Sequence, residues 1–351
     1  MNRFDYANTL PKLMTPEIMN LVSAIHEYRG RQPLYLAMKP DIMDCLTEIA
    51  LVQSTGASNR IENIHTSSDA RLHSLLAHKV EPRNRSEHEI VGYRYVLDLI
   101  HDRYADIPVN PGVILQFHRD LYRGVDVSFG GHWKDADNII AERSADGRMV
   151  ERFRPTNAVA TPGAIESLCD QYRWACKENM YNPLLISSLF IFDFVSIHPF
   201  NDGNGRMSRL LTLLLLYKAN YMVGKYISIE GEIEKTKSSY YEALRESSFG
   251  WDTGECDYVP FTQYLLGVVL ACYKELDERV GLVAGKRPGS YEDRVHELFS
   301  KLVGSISKRE LMEAIPGISR ATVERILQSM QKKGEIEKVG AARSTRYRVV
   351  E

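Results

Sequence analysis

The segment His198-Pro-Phe-Asn-Asp-Gly-Asn-Gly-Arg-Met-Ser-Arg209 concentrates the side chains needed to handle a phosphate ester. His198 brings an imidazole with an ordinary pKa of about 6.5, suited to take a proton at neutral pH. Asp202 brings a carboxylate of the kind that holds a phosphate-bound Mg2+. Gly203, Asn204 and Gly205 fall where a loop turns into a helix, and glycine there clears the way for a ligand approaching the backbone. The N–H groups of a first helical turn lack intrahelical acceptors and lie at the positive end of the helix dipole, which suits a phosphate chain. Arg206 and Arg209, three residues apart, are predicted to share one helix face and point at the same polyanion. A bare Gly-Asn-Gly turn or a single histidine has an ordinary structural explanation. Two arginines interrupting a greasy helix do not fit packing so easily.

These residues need two helices to position them. The apolar run 184–197 and the run 210–217 are both shorter than the roughly 18 apolar residues of a membrane span, so they read as buried core helices. Helical periodicity is predicted over 16–28, 41–53, 86–102, 111–123, 162–178, 183–197, 204–220, 237–247 and 258–280. The Thr-Pro pairs at 15–16 and 161–162 mark starts. The fold is therefore expected to be mostly α. One segment differs: Asn138–Arg143 and Met149–Arg154 flank Ser144–Gly147, whose Asp-Gly is a turn signal. It reads as a β-hairpin that must lie against the helical body, since an isolated hairpin is marginal in water.

Glycine, proline and serine gather at 281–289, a candidate linker. From Lys286 onward the chain carries 14 Lys and Arg against 9 Asp and Glu, while the rest carries 30 against 37. Residues 290–351 read as a winged helix-turn-helix: a second helix over 308–314, a turn at Pro316-Gly317, and Ser319 capping a recognition helix over 320–333. Strands over 335–339 and 345–349 surround a wing at 340–344. Arg320, Arg325, Arg343 and Arg346 would be placed to meet DNA, although such modules also serve protein contacts alone. The whole-chain formal charge of −2 adds no general attraction to nucleic acid. Five cysteines without a CxxC suggest neither a disulfide framework nor a zinc site, and no apolar leader opens the chain, so a cytoplasmic location is expected.

The segment 198–209 matches H-x-F-x-[DE]-G-N-G-R-x-x-R at every defined position and so resembles the signature of the Fic family. The resemblance covers roughly residues 86–280, with 1–85 as an N-terminal helical region. It implies transfer of AMP from ATP to a Ser, Thr or Tyr hydroxyl of a target protein, or of the chain itself. His198 would be the base and Asp202 the Mg2+ ligand. Gly203, Asn204 and Gly205 would cradle the phosphates, with Arg206 and Arg209 on the outer ones. Phe200 would anchor the loop. The hairpin Asn138–Arg154 would be a flap that docks the target as an added strand. Upstream, Ser58-Asn-Arg-Ile-Glu62-Asn63 resembles the family's inhibitory [ST]-x-x-x-E-[GN] motif. By that resemblance Glu62 pairs with Arg209 and biases ATP into an unproductive pose, with Ser58 and Asn63 orienting the helix. Some family members also use this glutamate to remove AMP. Tyr240 and Tyr241 read equally as adenine-pocket or core residues. Three questions stay open: AMP removal or phosphate transfer on the same fold, a DNA-binding regulator with a nucleotide-sensing core, and assembly into a homo-oligomer.

Overall fold

Helix starts in this chain coincide with residues that satisfy the free N–H groups of a first turn. The structure, a computed structural model, describes residues 4–38, 40–143, 149–284, 291–300, 305–315, 318–339 and 345–349. The first helices are α1 (Tyr6–Thr9), α2 (Pro16–Met38), α3 (Pro40–Ile61), α4 (Asp69–Leu76), α5 (Arg85–Arg103) and α6 (Pro111–Leu121). Strands β1 (Ile140–Arg143) and β2 (Met149–Phe153) follow, then α7 (Thr161–Glu178), α8 (Pro183–Ile197), α9 (Asn204–Lys218), α10 (Ile229–Lys235), α11 (Lys237–Ser248) and α12 (Val259–Ala284). The last are α13 (Tyr291–Ser300), α14 (Lys308–Ala314), α15 (Arg320–Lys332), β3 (Ile336–Val339) and β4 (Arg346–Val349). Asn84, Asn110 and Asn182 each accept a first-turn N–H at the starts of α5, α6 and α8.

The chain divides into two compact units, Met1–Glu278 and Arg279–Glu351. In the first, α8 is buried on nearly every face, from Leu184 to Ile197, so it forms the centre of the body rather than an amphipathic wall. Helix α9 is almost as deeply buried and packs against α8 and α5. Each fully buried Leu, Ile or Phe here contributes roughly 1.5–3 kcal/mol of apolar transfer. The one carboxylate on α8, Asp193, is itself buried. It accepts from Tyr6 Oη at 3.1 Å, Trp251 Nε1 at 2.9 Å and Tyr258 Oη at 2.9 Å, tying three distant segments to the central helix.

One expectation is corrected here. Helix α3 does not stop near residue 53. It continues through Gly56 to Ile61, so Ser58–Glu62 is the end of a long helix packed on α5 and α10. Tertiary packing outweighs the modest helical cost of one glycine, about 1 kcal/mol. The short helices α4 and α10, capped by Ser68 and Ser228, carry too few residues for their periodicity to be read from sequence.

The hairpin pairs β1 with β2 antiparallel, Glu142 opposite Val150, with an irregularity between Ile140 and Ala141. Its turn, Ser144–Gly147, lies outside the described residues. In the second unit, α13–α15 and the antiparallel β3–β4 pair surround Val295, Phe299, Leu311, Val323, Ile326 and Tyr347. Ser307 and Glu310 form a reciprocal capping box on α14, and Ser319 caps α15. This is a winged helix-turn-helix. Helix α12 runs on through residues 281–284 of the expected linker. The Pro316-Gly317 turn, the wing tip 340–344 with Arg343, and the remaining linker residues 285–289 lie outside the described residues. Among the described residues no helix is long and apolar enough to cross a membrane.

Candidate active site

Helix α8 ends at His198, whose backbone takes the left-handed conformation (φ 51°) and whose N–H donates to the Phe194 carbonyl at 3.1 Å. That sharp exit turns the chain into the loop 199–203. Asn204 then staples the loop: its Nδ2 donates to the Phe200 carbonyl at 2.8 Å and its Oδ1 accepts the Phe200 N–H at 2.9 Å. The Phe200 ring is fully buried and stacks on His118, centroids 3.7 Å apart. Gly203 enters α9 with φ 85°, and a Cβ there would lie 3.0 Å from Tyr122 Oη. The first intrahelical bond of α9 joins Met207 N–H to the Gly203 carbonyl, so the amides of Asn204, Gly205 and Arg206 open the helix as an anion site.

A cavity forms over this turn. His198, Gly205 and Arg209 line one side, Glu62 another, the hairpin residues Ile140, Arg152 and Phe153 a third, and Tyr240, Tyr241 and Leu244 of α11 the last. Burial lowers the His198 pKa to about 4, helped by the nearby Lys134 cation and opposed by Glu62 and Asp202. The imidazole is therefore neutral at physiological pH.

Arg209 is engaged through Nε and Nη2. Its Nε donates to Ser58 Oγ at 2.8 Å, and its Nη2 donates to the Ser58 carbonyl at 2.9 Å and to Glu62 Oε1 at 2.8 Å. Burial disfavours its charge, and Glu62, Tyr93 and Tyr240 outweigh that penalty, so its pKa is held above the usual value. The presentation of Glu62 is fixed by how α3 ends. Asn63 sits at φ 59°, Ile64 N–H donates to the Asn59 carbonyl at 2.9 Å, and Asn63 N–H donates to the Arg60 carbonyl at 3.0 Å. This is the helix stop in which a left-handed residue closes the last turn. Lys237 Nζ caps the Ile61 carbonyl at 2.8 Å. Glu62 so placed leans over Gly205, where a Cβ would come 2.1 Å from Oε1.

Residues 108–216 match the Fic/DOC family. The protein contains a Fic domain. A Fic family protein from Desulfovibrio desulfuricans has the same fold, with a TM-score of 0.62 at 24% identity over 96% of this chain and 97% of that one. Fic-1 from Caenorhabditis elegans (residues 134–508) superposes with a TM-score of 0.59 at 16% identity, covering 76% of this chain and 73% of that one. Among curated relatives, the protein adenylyltransferase Fic of Culex quinquefasciatus is 26% identical over 242 residues, 64% of this chain and 43% of its own length. That of Drosophila melanogaster is 26% identical over 211 residues, 57% of this chain and 37% of its own. The chain thus spans about two fifths of the length of these curated relatives. Residues 294–350 match the C-terminal domain of a DIP2311-like transcriptional regulator.

Within the Fic domain the two arginines part company, contrary to the shared face predicted from their spacing. Arg206 does not line the cavity. It is buried beside Glu89, which accepts from Nη1 at 2.5 Å, and its Nη2 donates to Tyr122 Oη at 2.8 Å. The reason is the carboxylate on α5: Glu89 is itself buried and must be paired. Asp202 also stands outside the cavity lining. Its side chain is half exposed, with Oδ1 accepting the Gly203 N–H and Oδ2 accepting from Arg85 at 3.1 Å. Among the described residues no group of three or more His, Cys, Asp and Glu is arranged to hold a metal ion. A single exposed carboxylate nevertheless fits Mg2+, which commonly takes one or two protein carboxylates and completes its shell with phosphates and water. Tyr240 is buried and Tyr241 half exposed; both line the cavity.

Two residues of the site carry no signal in the sequence. His118 accepts the Gly131 N–H at Nδ1 (3.0 Å), so its Nε2 bears the proton and donates to the Asp202 carbonyl at 3.0 Å. Lys134 straps the loop from the other side: its N–H donates to the Pro199 carbonyl at 2.9 Å, and its Nζ to the Ile197 carbonyl at 3.2 Å and Asn138 Oδ1 at 2.8 Å. Burial lowers the Lys134 pKa to about 8, against the pull of Asp137. Neither residue lies in a motif, and only the fold brings them to the loop.

Proposed function

We propose that this protein moves AMP from ATP to a protein hydroxyl, and that Glu62 restrains the reaction. The observation that carries the reading is one cavity in which the neutral His198 faces the open amides of α9 while Glu62 occupies Arg209. The outer phosphates of ATP would lie on the amides of Asn204 to Arg206, gripped by Arg209 once Glu62 withdraws. Arg206, paired with Glu89 and bonded to Tyr122, braces the start of α9. Tyr240 and Tyr241 would flank the base. Mg2+ on Asp202, with Arg85 displaced, would neutralise phosphate charge.

The chemistry then follows from positioning and charge. A target segment lies along the hairpin 138–154 as an added strand and presents a Ser, Thr or Tyr hydroxyl. His198 takes the hydroxyl proton as the oxygen bonds to the α-phosphorus. The bond from that phosphorus to the bridging oxygen breaks, and pyrophosphate leaves with the electron pair. A bound polyphosphate raises the imidazole pKa, so His198 becomes a stronger base when its substrate is present. General-base help of this kind is worth about 10²–10⁴-fold. Incubation with ATP labelled at the α- or γ-phosphate, followed by intact-mass analysis, tests the reading. Added AMP mass supports it. Added phosphate mass, or release of AMP from a modified protein, would replace it with another reaction on the same fold.

A second reading is favoured by the match of residues 294–350 to a transcriptional regulator. On that reading the winged helix binds DNA and the Fic domain senses nucleotide. The arginines named for DNA are partly spoken for: Arg320 contacts Glu324 at 3.4 Å, Arg325 contacts Glu292 at 3.8 Å, and Arg346 donates to Glu310 at 2.6 Å. Duplex binding that weakens steeply with salt and survives His198→Ala would support this reading.

A further inference from the structure

The cavity contains a second arginine, one that no motif includes. Arg152 comes from strand β2 of the hairpin and lines the cavity together with Tyr241, His198 and Arg209. Its Nε is buried and has no hydrogen-bond partner. Among the described residues, Arg209 is neutralised by Glu62 and Arg206 by Glu89, whereas Arg152 has no carboxylate within ion-pair distance. Its neighbours Glu151 and Arg154 pair with each other at 2.8 Å and leave it alone. A buried N–H donor without an acceptor bears an uncompensated desolvation penalty, and guanidinium is built for bidentate contact with phosphate. A site that keeps such a group in its wall is complete only with an anion.

The position of Arg152 indicates which anion. Arg209 and the amides of α9 mark the outer-phosphate end of the cavity, and Tyr240, Tyr241 and Leu244 mark the base end. Arg152 stands on the hairpin wall of the cavity with Ile140 and Phe153. Burial and Glu62 raise the Tyr241 pKa, and Arg152 is near enough that its charge, after that of Arg209, opposes the rise. The phosphate nearest the base is the first one. We infer that Arg152 is a nucleotide-binding residue that grips the α-phosphate from the hairpin side, opposite α9. The inference rests on the adenine-nucleotide reading above and extends it. The same hairpin would then carry both the target strand and one wall of the nucleotide site, so nucleotide binding orders the surface that receives the target.

The test is calorimetric binding of a non-hydrolysable ATP analogue, AMP and adenosine to the full chain. It is run in a Glu62→Gly background, so that the inhibitory pair does not compete. Arg152→Met should weaken the ATP analogue and AMP by a similar factor, about tenfold, and leave adenosine unchanged. Arg152→Lys should recover part of the loss. The melting temperature of the nucleotide-free protein should not move, because the side chain is only partly buried and has no partner to lose. Unchanged affinity for AMP and the ATP analogue overturns the inference, as does an equal loss for adenosine. Loss confined to the ATP analogue would move Arg152 to the outer phosphates and also overturn it. If the Glu62→Gly parent binds none of the three, the adenine-nucleotide reading fails and takes the inference with it. If the parent binds all three and Arg152→Met matches it, the inference fails alone.

Discussion

Glu62 Oε1 accepts a hydrogen bond from Arg209 Nη2 at 2.8 Å, joining the last turn of α3 to the second turn of α9 across 147 residues of chain. The glutamate is about one-third exposed and the arginine almost fully buried. The pair is therefore asymmetric. Glu62 is the partner with access to solvent, while Arg209 is also held by Ser58, and withdrawal of Glu62 would leave the buried guanidinium in need of another anion.

That asymmetry sets the sign of the first prediction. Removing a carboxylate from an ordinary catalytic site lowers its rate, but Glu62→Gly should raise AMP transfer. Each roughly 1.4 kcal/mol of restraint released is worth about tenfold in the productive population. Self-modification followed by intact mass is the readout. Arg209→Ala should not reproduce the gain, since it removes the phosphate contact with the lock. Equal or lower transfer by Glu62→Gly, to itself and to added proteins, would falsify the restraint. Slower AMP removal in the same variant would assign Glu62 to hydrolysis.

Gly205→Ala separates the lock from the phosphate seat. Its Cβ would come 2.1 Å from Glu62 Oε1, so the carboxylate must move and the pair with Arg209 must loosen. The same methyl group would enter the cavity at the first turn of α9, 3.3 Å from Arg209 Nη1. Transfer should therefore stay low even with Glu62 displaced, in contrast to Glu62→Gly. A rise comparable to that of Glu62→Gly would show that the phosphates do not sit on this turn.

His198→Ala should abolish transfer, a loss of about 10²–10⁴-fold or more, without a large change in melting temperature. The titration of His198 gives a finer test. Burial lowers its pKa to about 4, so in the free protein the neutral base persists as pH falls through 6.5 and is lost only toward pH 4. In NMR titration of labelled histidine, assigned by the missing signal in His198→Ala, the midpoint should be near 4. A bound ATP analogue should raise it. A free-protein midpoint at the ordinary 6.5 would contradict the buried, neutral base.

Asp202→Asn should lower transfer by tenfold or more and leave thermal unfolding nearly unchanged, because the carboxylate is half exposed and its contact with Arg85 is a surface ion pair. Excess chelator should act likewise on the wild type. Full turnover in chelator would remove Asp202 from this role.

Deletion of residues 290–351 should leave the body folded, with a melting transition close to that of the full chain. The second unit has its own core around Leu311, Val323 and Ile326. An insoluble truncation would instead show that the body depends on it.

Much of this arrangement is legible in the sequence because its causes are local. The segment 198–209 is continuous, so its turn, its glycines and its helix start follow from neighbouring residues. Helix α8 was readable from end to end because an all-apolar run bounded by Asn182-Pro183 and His198 has few other solutions. Asn63 is likewise local: a left-handed stop that fixes where Glu62 points.

What the sequence could not supply depends on partners far along the chain. Spacing places Arg206 and Arg209 together, yet Glu89 and Tyr122 draw one away while Ser58 and Glu62 hold the other. A buried charge goes where another element offers a counter-charge, and sequence spacing does not encode that choice. His118 on α6, Lys134 in the segment ahead of the hairpin and Arg152 on β2 belong to no motif, and only packing brings them to the loop or the cavity. The sequence by itself determined the residue types at the turn, within the one continuous segment 198–209. The tertiary structure decided which charges are free to use it, because pairing in a low-dielectric interior is settled between elements, not within them.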